Sequence, residues 1–169
     1  SMKHLGDLAA VIDDLDAMGR LVRVRSEVDP DKELAGIASR FEGDPRALLF
    51  ENVKSHDHPV FTGLYWSREL LGALMRTPET ELPLLVSRHI KKWQIDPVHP
   101  VVVDDGPVLE VTENEVDLSR LPVPIHAMKD GGPYFDAAVV IIRDPETGVR
   151  NASIQRFQVI DKDTLAVNI

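Results

Sequence analysis

A turn signal between two apolar runs constrains the fold of this chain more than any other feature. Residues 144–148 are Asp-Pro-Glu-Thr-Gly, preceded by a continuous apolar run over 137–142 and followed by an alternating run over 149–160. Pro145 has the φ that a turn requires, and Gly148 can adopt a positive φ without steric strain. The pattern predicts an antiparallel β-hairpin with a five-residue turn.

Alternation along the return strand divides its polar side chains between two faces. Asn151 and Arg156 would point apart on a regular strand, so a shared site would require a bulge or twist between them, or a ligand that reaches both. An amide oxygen suits a hard metal ion, and a guanidinium suits phosphate or carboxylate. Polar side chains on a half-solvated strand are also common without any function. The two expected faces are Asn151, Ser153, Gln155 and Phe157, and Ala152, Ile154, Arg156 and Gln158.

Helical and strand-like segments alternate upstream of the hairpin, which predicts an α/β layer. We expect Asp29 and Ser67 to cap two of the helices, with Pro30 in a first turn. A Pro-rich stretch over 96–107 marks a boundary. The expected helices are 5–18, 32–41, 67–75 and 82–93, and the expected strands are 21–24, 47–53, 60–64, 108–111, 137–142, 149–160 and one that begins within 165–169.

Composition excludes several classes of protein. The net charge is −9, whereas neutralising nucleic-acid phosphates requires clustered Lys and Arg. The chain has no cysteine, so disulfides, thiolate metal sites and Cys nucleophiles are not expected. No segment approaches the ~20 continuous apolar residues of a membrane span, and no signal-peptide run begins the chain. We therefore expect a cytoplasmic protein with neither a nucleic-acid nor a membrane partner.

Two short features outside the hairpin could carry chemistry. Asp130-Gly131-Gly132 would let backbone N–H groups approach an anion, but such a motif is usually only a turn. His126 lies in a Pro-bounded loop and could act as a ligand or a base, although a single His without a partner at metal spacing is commonly structural. The sequence has no GxSxG, Walker, GxGxxG or HExxH motif.

Several ordered segments resemble the UbiD-type reversible decarboxylases, which use prenylated FMN (prFMN). Segments 8–30 and 47–54 resemble the opening helix and strands of that family. The most specific segments are Leu-Pro-Val-Pro-Ile-His at 121–126, Asp-Gly-Gly-Pro-Tyr at 130–134, Arg-Asp-Pro-Glu-Thr-Gly at 143–148 and Asn-Ala-Ser-Ile-Gln-Arg at 151–156. Together, in this order and with suitable gaps, they are far more specific than any one alone.

The resemblance implies a site on the return strand. Asn151 would bind a divalent metal, Mn²⁺ in most members with K⁺ as a further candidate ion, and the metal would bridge to the flavin phosphate. Ile154, Gln155 and Arg156 would line prFMN. Arg156 would also pair with the substrate carboxylate and with acidic residues that relay the proton, which makes it the catalytic residue of this chain. The substrate would be an aromatic, heteroaromatic or α,β-unsaturated carboxylic acid.

The resemblance also implies the domain organisation. Residues 1–100 would form a mixed α/β (α+β) N-terminal domain, and residues 101–169 the first strands of a split β-barrel that binds the flavin. Family members are much longer, and their other metal ligands and catalytic acid would follow residue 169. We therefore expect an inactive fragment of a decarboxylase that is a homo-oligomer when intact. Phe135 and Asp136 replace the small or hydroxylated pair that the family pattern predicts after Tyr134.

Two other interpretations stay open on the sequence. The chain could be a natural, non-catalytic small subunit or assembly module of a decarboxylase complex. The strand-rich half alone would also be compatible with a flavin-reductase-like split barrel, which would bind FMN without a metal or a prenyl group.

Overall fold

The computed structural model describes residues 3–167. Helices and strands are interspersed along these residues, which confirms the α/β fold class. The elements are α1 (Leu8–Ala17), β1 (Leu21–Val24), α2 (Glu33–Ser39), β2 (Ala47–Phe50), β3 (Val60–Thr62), α3 (Arg68–Leu74), α4 (Leu82–Ile95), β4 (Tyr134–Arg143), β5 (Arg150–Val159) and β6 (Leu165–Val167). The strand expected within 165–169 is β6, and residues 168–169 lie outside the described range. Within that range, no helix combines the length and apolarity needed to cross a bilayer.

The strands form two sheets of three. The first has the order β1-β2-β3, and the second has the order β4-β5-β6. The second sheet is antiparallel throughout, as expected for strands that follow one another through short connections.

The chain divides into two compact units that each combine separate segments. Unit 1 contains residues 1–22, 41–48 and 62–115, and unit 2 contains residues 23–40, 49–61 and 116–169. Buried apolar side chains occur in both units. The buried apolar residues of unit 1 are Val11, Leu15, Ala47, Leu48, Leu70 and Leu74, and those of unit 2 are Val28, Leu34, Leu49, Phe50 and Val53.

The helix starts agree with two local capping signals and contradict a third. The side chains of Asp7 and Ser67 accept hydrogen bonds from the first turns of α1 and α3, so the predicted Ser67 cap is correct. The prediction that Asp29 caps α2 is wrong, because α2 begins only at Glu33. The Asp29 carboxylate instead accepts from the Asp31 N–H and from Lys54 Nζ, and it is therefore occupied before the helix begins.

The strand expected over 108–111 is not present. Pro107–Leu109 forms one turn of 3-10 helix, with Pro107 at its start, where its missing N–H leaves no helical hydrogen bond unmade. Val108 and Val111 are 87% and 79% exposed. The apolar residues at these positions therefore pair with no strand among the described residues.

The predicted hairpin is confirmed, and its turn is held by Asp144. The carboxylate of Asp144 accepts hydrogen bonds from the N–H groups of Glu146 and Thr147, and these bonds hold the pKa of Asp144 below its usual value. Gly148 has φ +70°, a conformation that favours glycine. The turn fixes the register of β4 against β5, and thereby the position of every side chain on β5.

Candidate functional site

The side chains of β5 alternate in exposure as the sequence predicts. Ser153, Gln155 and Phe157 are half-buried, whereas the intervening Ala152, Ile154 and Arg156 are exposed. The ladder pairs Ile142 with Asn151 and continues without irregularity to Ala138 and Gln155. No bulge therefore separates Asn151 from Gln155, and the backbone of β5 does not bring Asn151 and Arg156 to the same face.

A bulge in β4 lies directly opposite Arg156. The ladder pairs Phe135 with Phe157 and Ala138 with Gln155, so two β4 residues, Asp136 and Ala137, oppose the single residue Arg156. An extra residue of this kind bends the strand and redirects its side chains. A bulge that could bring the two side chains together is thus present, but it lies on β4 and beside Arg156 only.

The Arg156 side chain has two defined contacts. Its Nε–H donates to Asp136 Oδ1 at 2.6 Å, and its guanidinium carbon lies 4.3 Å from the centre of the Tyr134 ring, a cation–π distance. The carboxylate of Asp136 raises the pKa of Arg156, first through this hydrogen bond and then through its charge. Arg156 is therefore a permanent cation whose side chain is held in a defined position on β5.

A histidine completes this cluster. His126 Nε2 lies 2.7 Å from Asp136 Oδ2, so Asp136 contacts His126 with one oxygen and Arg156 with the other. Sequence reasoning missed this connection. It treated His126 as an isolated residue and Asp136 only as a departure from a family pattern. The unexpected residue Asp136 was the one signal that the sequence offered. Its contacts with Arg156 and His126 depend on a bulge that no local motif specifies.

An open groove of about 540 Å³ lies beside Arg156. Ile154, Gln155 and Arg156 line it together with Tyr134 and Val167, so three of the four predicted site residues come together. The lining combines aliphatic side chains and the Tyr134 ring with two glutamines and one guanidinium, and this combination suits a planar ring that carries polar and anionic groups. Asn151 does not line the groove.

The residues that the structure describes hold no complete metal site, and Asn151 is the candidate ligand that the family motif indicates. The described residues contain no cluster of three or more His, Cys, Asp or Glu side chains that could hold a metal ion. Asn151 is exposed and makes no side-chain hydrogen bond within 3–167, so its amide oxygen is available. One oxygen is not a metal site, because hard divalent cations take six or more ligands. The described residues therefore fit the ring of a flavin better than they fit its metal.

The Asp130-Gly131-Gly132 segment forms a turn that is used locally. Asp130 Oδ2 accepts from the Ala127 N–H at 3.0 Å, and the Gly131 carbonyl accepts from Gln158 Nε2 at 2.9 Å. The Gln158 contact fixes the loop to β5, and the Asp130 N–H, one of the groups that a phosphate-loop interpretation would use, donates instead to the Ala127 carbonyl.

Two family profiles match the chain. Residues 12–88 match the 3-octaprenyl-4-hydroxybenzoate carboxy-lyase N-terminal domain, and residues 100–169 match the 3-octaprenyl-4-hydroxybenzoate carboxy-lyase Rift-related domain. The chain belongs to the UbiD family. This finding confirms the resemblance that the four motifs between residues 121 and 156 indicated. Among curated relatives, a protein encoded in the cooM 5′ region of Rhodospirillum rubrum is 70% identical over the whole chain.

Solved structures agree with this assignment. An evolved dimeric form of the UbiD-class enzyme HmfF from Pelotomaculum thermopropionicum, in complex with prFMN, matches 92% of the chain with 41% identity and a TM-score of 0.82. The apo 3,4-dihydroxybenzoic acid decarboxylase of Klebsiella pneumoniae matches 96% of the chain with 27% identity and a TM-score of 0.83. The chain spans 36% of the length of each of these two structures and 36% of the Rhodospirillum relative.

Proposed function

We propose that this chain is the N-terminal part of a reversible, non-oxidative decarboxylase that uses prFMN and a divalent metal, and that it is inactive alone. The observation that carries the proposal is the groove in which Ile154, Gln155 and Arg156 meet. Family membership and the prFMN complex of HmfF support the choice of cofactor. The proposed inactivity is supported by the described residues, which hold no cluster of His, Cys, Asp or Glu that could bind a metal ion.

The groove residues take distinct roles in this proposal. Ile154 and Gln155 would hold the flavin ring, and the guanidinium of Arg156 would bind the substrate carboxylate beside it. The chemistry that bound prFMN would supply is an electron sink for the pair of electrons left on the substrate when CO₂ departs. Arg156 would orient the scissile bond and stabilise the anionic group as a fixed cation. Asn151 would supply one oxygen to a divalent metal, Mn²⁺ in this proposal, with K⁺ as a further candidate ion.

The substrate in this proposal is an aromatic, heteroaromatic or α,β-unsaturated carboxylic acid. Such an acid is planar beside its carboxylate, and the apolar and aromatic lining of the groove favours a planar ligand. The name of the Klebsiella enzyme, a 3,4-dihydroxybenzoic acid decarboxylase, supports the aromatic class. We also propose that residues 1–100 and 101–169 are the two functional parts of the chain, as the two matched profiles favour, and that the intact protein is a cytoplasmic homo-oligomer.

A direct test is isotope exchange in a full-length protein that carries this segment. The protein would be incubated with ¹³C-bicarbonate and a panel of a benzoic acid, a furan carboxylic acid and an acrylic acid, with and without prFMN. We expect label to enter the carboxyl group of at least one acid only when prFMN is present. Exchange that proceeds equally without prFMN, or an absence of bound flavin after co-expression with a prFMN-producing prenyltransferase, would refute the proposal.

The alternative is a non-catalytic subunit or assembly module, and reconstitution with the 169-residue chain distinguishes it. That role predicts that the 169-residue chain binds stably to a separate catalytic chain and restores its activity. The decarboxylase proposal predicts that Arg156 acts within the same polypeptide as the remaining ligands.

A further inference from the structure

The Asp136 carboxylate is divided between two partners. Its Oδ1 accepts from Arg156 Nε and its Oδ2 lies against His126 Nε2, at 2.6 and 2.7 Å. The β4 bulge places Asp136 opposite Arg156, which allows this contact between neighbouring strands. His126 lies outside β4, on the segment that precedes it, so the carboxylate is held from two directions.

An ordinary exposed pair in the same chain differs from this arrangement. Asp44 meets Arg46 with both oxygens, from Nε to Oδ1 at 2.9 Å and from Nη2 to Oδ2 at 2.8 Å. Such a bidentate pair occupies a whole edge of the guanidinium. Because His126 holds the second oxygen of Asp136, Arg156 is engaged through Nε alone.

The remaining edge of the Arg156 guanidinium is available. Within residues 3–167, no hydrogen bond or ion pair involves its Nη1 or Nη2. One face of the group is covered by the Tyr134 ring at 4.3 Å. The planar guanidinium is thus fixed at one edge and on one face, so its two terminal nitrogens point in a single direction. This is the geometry that binds a carboxylate with two hydrogen bonds.

We propose that Asp136 is a positioning residue for Arg156. Backed by His126, it fixes the guanidinium on Tyr134 and leaves the terminal nitrogens for an incoming carboxylate. This inference rests on the proposed function, which gives Arg156 a carboxylate ligand. Asp136 itself touches neither substrate nor cofactor in this proposal, and its effect is to keep Arg156 in the orientation that binding requires. Ordering the side chain in advance removes an entropic penalty from the binding step.

The first test is NMR on the 169-residue chain and requires no flavin. The Arg156 Nε–Hε signal, assigned by its loss in Arg156→Lys, should lie outside the region of solvent-exposed arginines and exchange slowly with water. Asp136→Ala should return it to that region, whereas Asp136→Asn, whose amide oxygen can still accept from Nε, should largely retain it. Asp44→Ala is the matched control and should leave it unchanged. An Arg156 signal that does not respond to Asp136→Ala would overturn the proposal.

The second test measures carboxylate affinity in the full-length protein loaded with prFMN, with benzoate as the probe. We expect Asp136→Ala to weaken binding about tenfold through lost preorganisation, and Asp136→Asn by less than about threefold. If both variants bind benzoate more tightly, Asp136 competes with the ligand, and the positioning role is wrong. Unchanged affinity in Asp136→Ala would also contradict it. Failure of the proposed function is separable, because a protein without flavin would still show the Arg156 signal change in the first test.

Discussion

Asn151 and Arg156 lie five residues apart on β5, on opposite faces of a ladder that is regular from Asn151 to Gln155. Each therefore meets a different part of any shared ligand. A flavin that reached both would have its phosphate and metal at Asn151 and its ring and substrate at Arg156. Substitutions of Asn151 and of Arg156 should then impair different properties of the protein, metal binding and turnover respectively.

Substitution of Asn151 is expected to weaken metal binding and nothing else. In the full-length protein, Asn151→Ala should weaken Mn²⁺ binding, measured by electron paramagnetic resonance, by about 10- to 100-fold, the range typical of disturbed metal sites. Asn114→Ala, which changes another exposed Asn, should leave Mn²⁺ affinity unaltered. Equal Mn²⁺ affinity in Asn151→Ala and the wild type would remove Asn151 from the metal site.

Arg156 is expected to affect turnover without affecting folding. Arg156→Ala should abolish decarboxylation in the full-length protein, because the substrate carboxylate loses the cation that the described residues place in the groove. The chain should keep nearly the same melting temperature, since exposed ion pairs contribute little to stability. Arg150→Ala, on the same strand and also exposed, is the control and should remain active. An active Arg156→Ala enzyme would exclude Arg156 from the mechanism.

The core of unit 1 depends on Leu15, which is fully buried on α1. Leu15→Ala should lower the free energy of unfolding by about 2–5 kcal/mol, because it removes buried methyl groups and leaves a cavity. Leu8 begins the same helix but is 57% exposed, and Leu8→Ala should change the free energy by less than about 0.5 kcal/mol. Urea denaturation of both variants measures the contrast. Equal destabilisation would mean that α1 does not pack as described.

Asp29 should contribute to stability above its titration range. Its hydrogen bond from Lys54, followed by that from the Asp31 N–H, holds its pKa below the ordinary value of 3.8. A lowered carboxyl pKa stabilises the fold above the unfolded value, and this contribution is lost as pH falls through the folded value. Asp29→Asn should therefore melt earlier than the wild type at pH 7, and the difference should shrink as the pH falls below about 3.8 and disappear below the lowered pKa of the folded state. A constant deficit of Asp29→Asn at all pH values would contradict the assignment.

The sequence correctly predicted those elements that are specified by residues within a few positions of them. The hairpin follows from the turn chemistry of Pro145 and Gly148, and the alternation on β5 follows from strand geometry. The start of α3 follows from Ser67, whose hydroxyl accepts from the Leu70 N–H. In each case the residues that specify the element lie within a few positions of it.

Features that depend on distant residues could not be predicted in the same way. The carboxylate of Asp29 is taken by Lys54, 25 residues away, so the capping signal was misleading. The bulge opposite Arg156 depends on how β4 pairs with β5, and the contact of His126 with Asp136 depends on that bulge. The roles of Asn151 and Arg156 came from family motifs, and they stay predictions.

The most direct measurement is a crystal structure of the full-length protein with prFMN, Mn²⁺ and a carboxylate inhibitor bound. We predict that the Asn151 amide oxygen coordinates the metal at the flavin phosphate. We also predict that the terminal nitrogens of Arg156 bind the inhibitor carboxylate, with Asp136 still on Nε. A structure in which Asn151 and Arg156 both lie in bulk solvent, away from the flavin, would contradict the account.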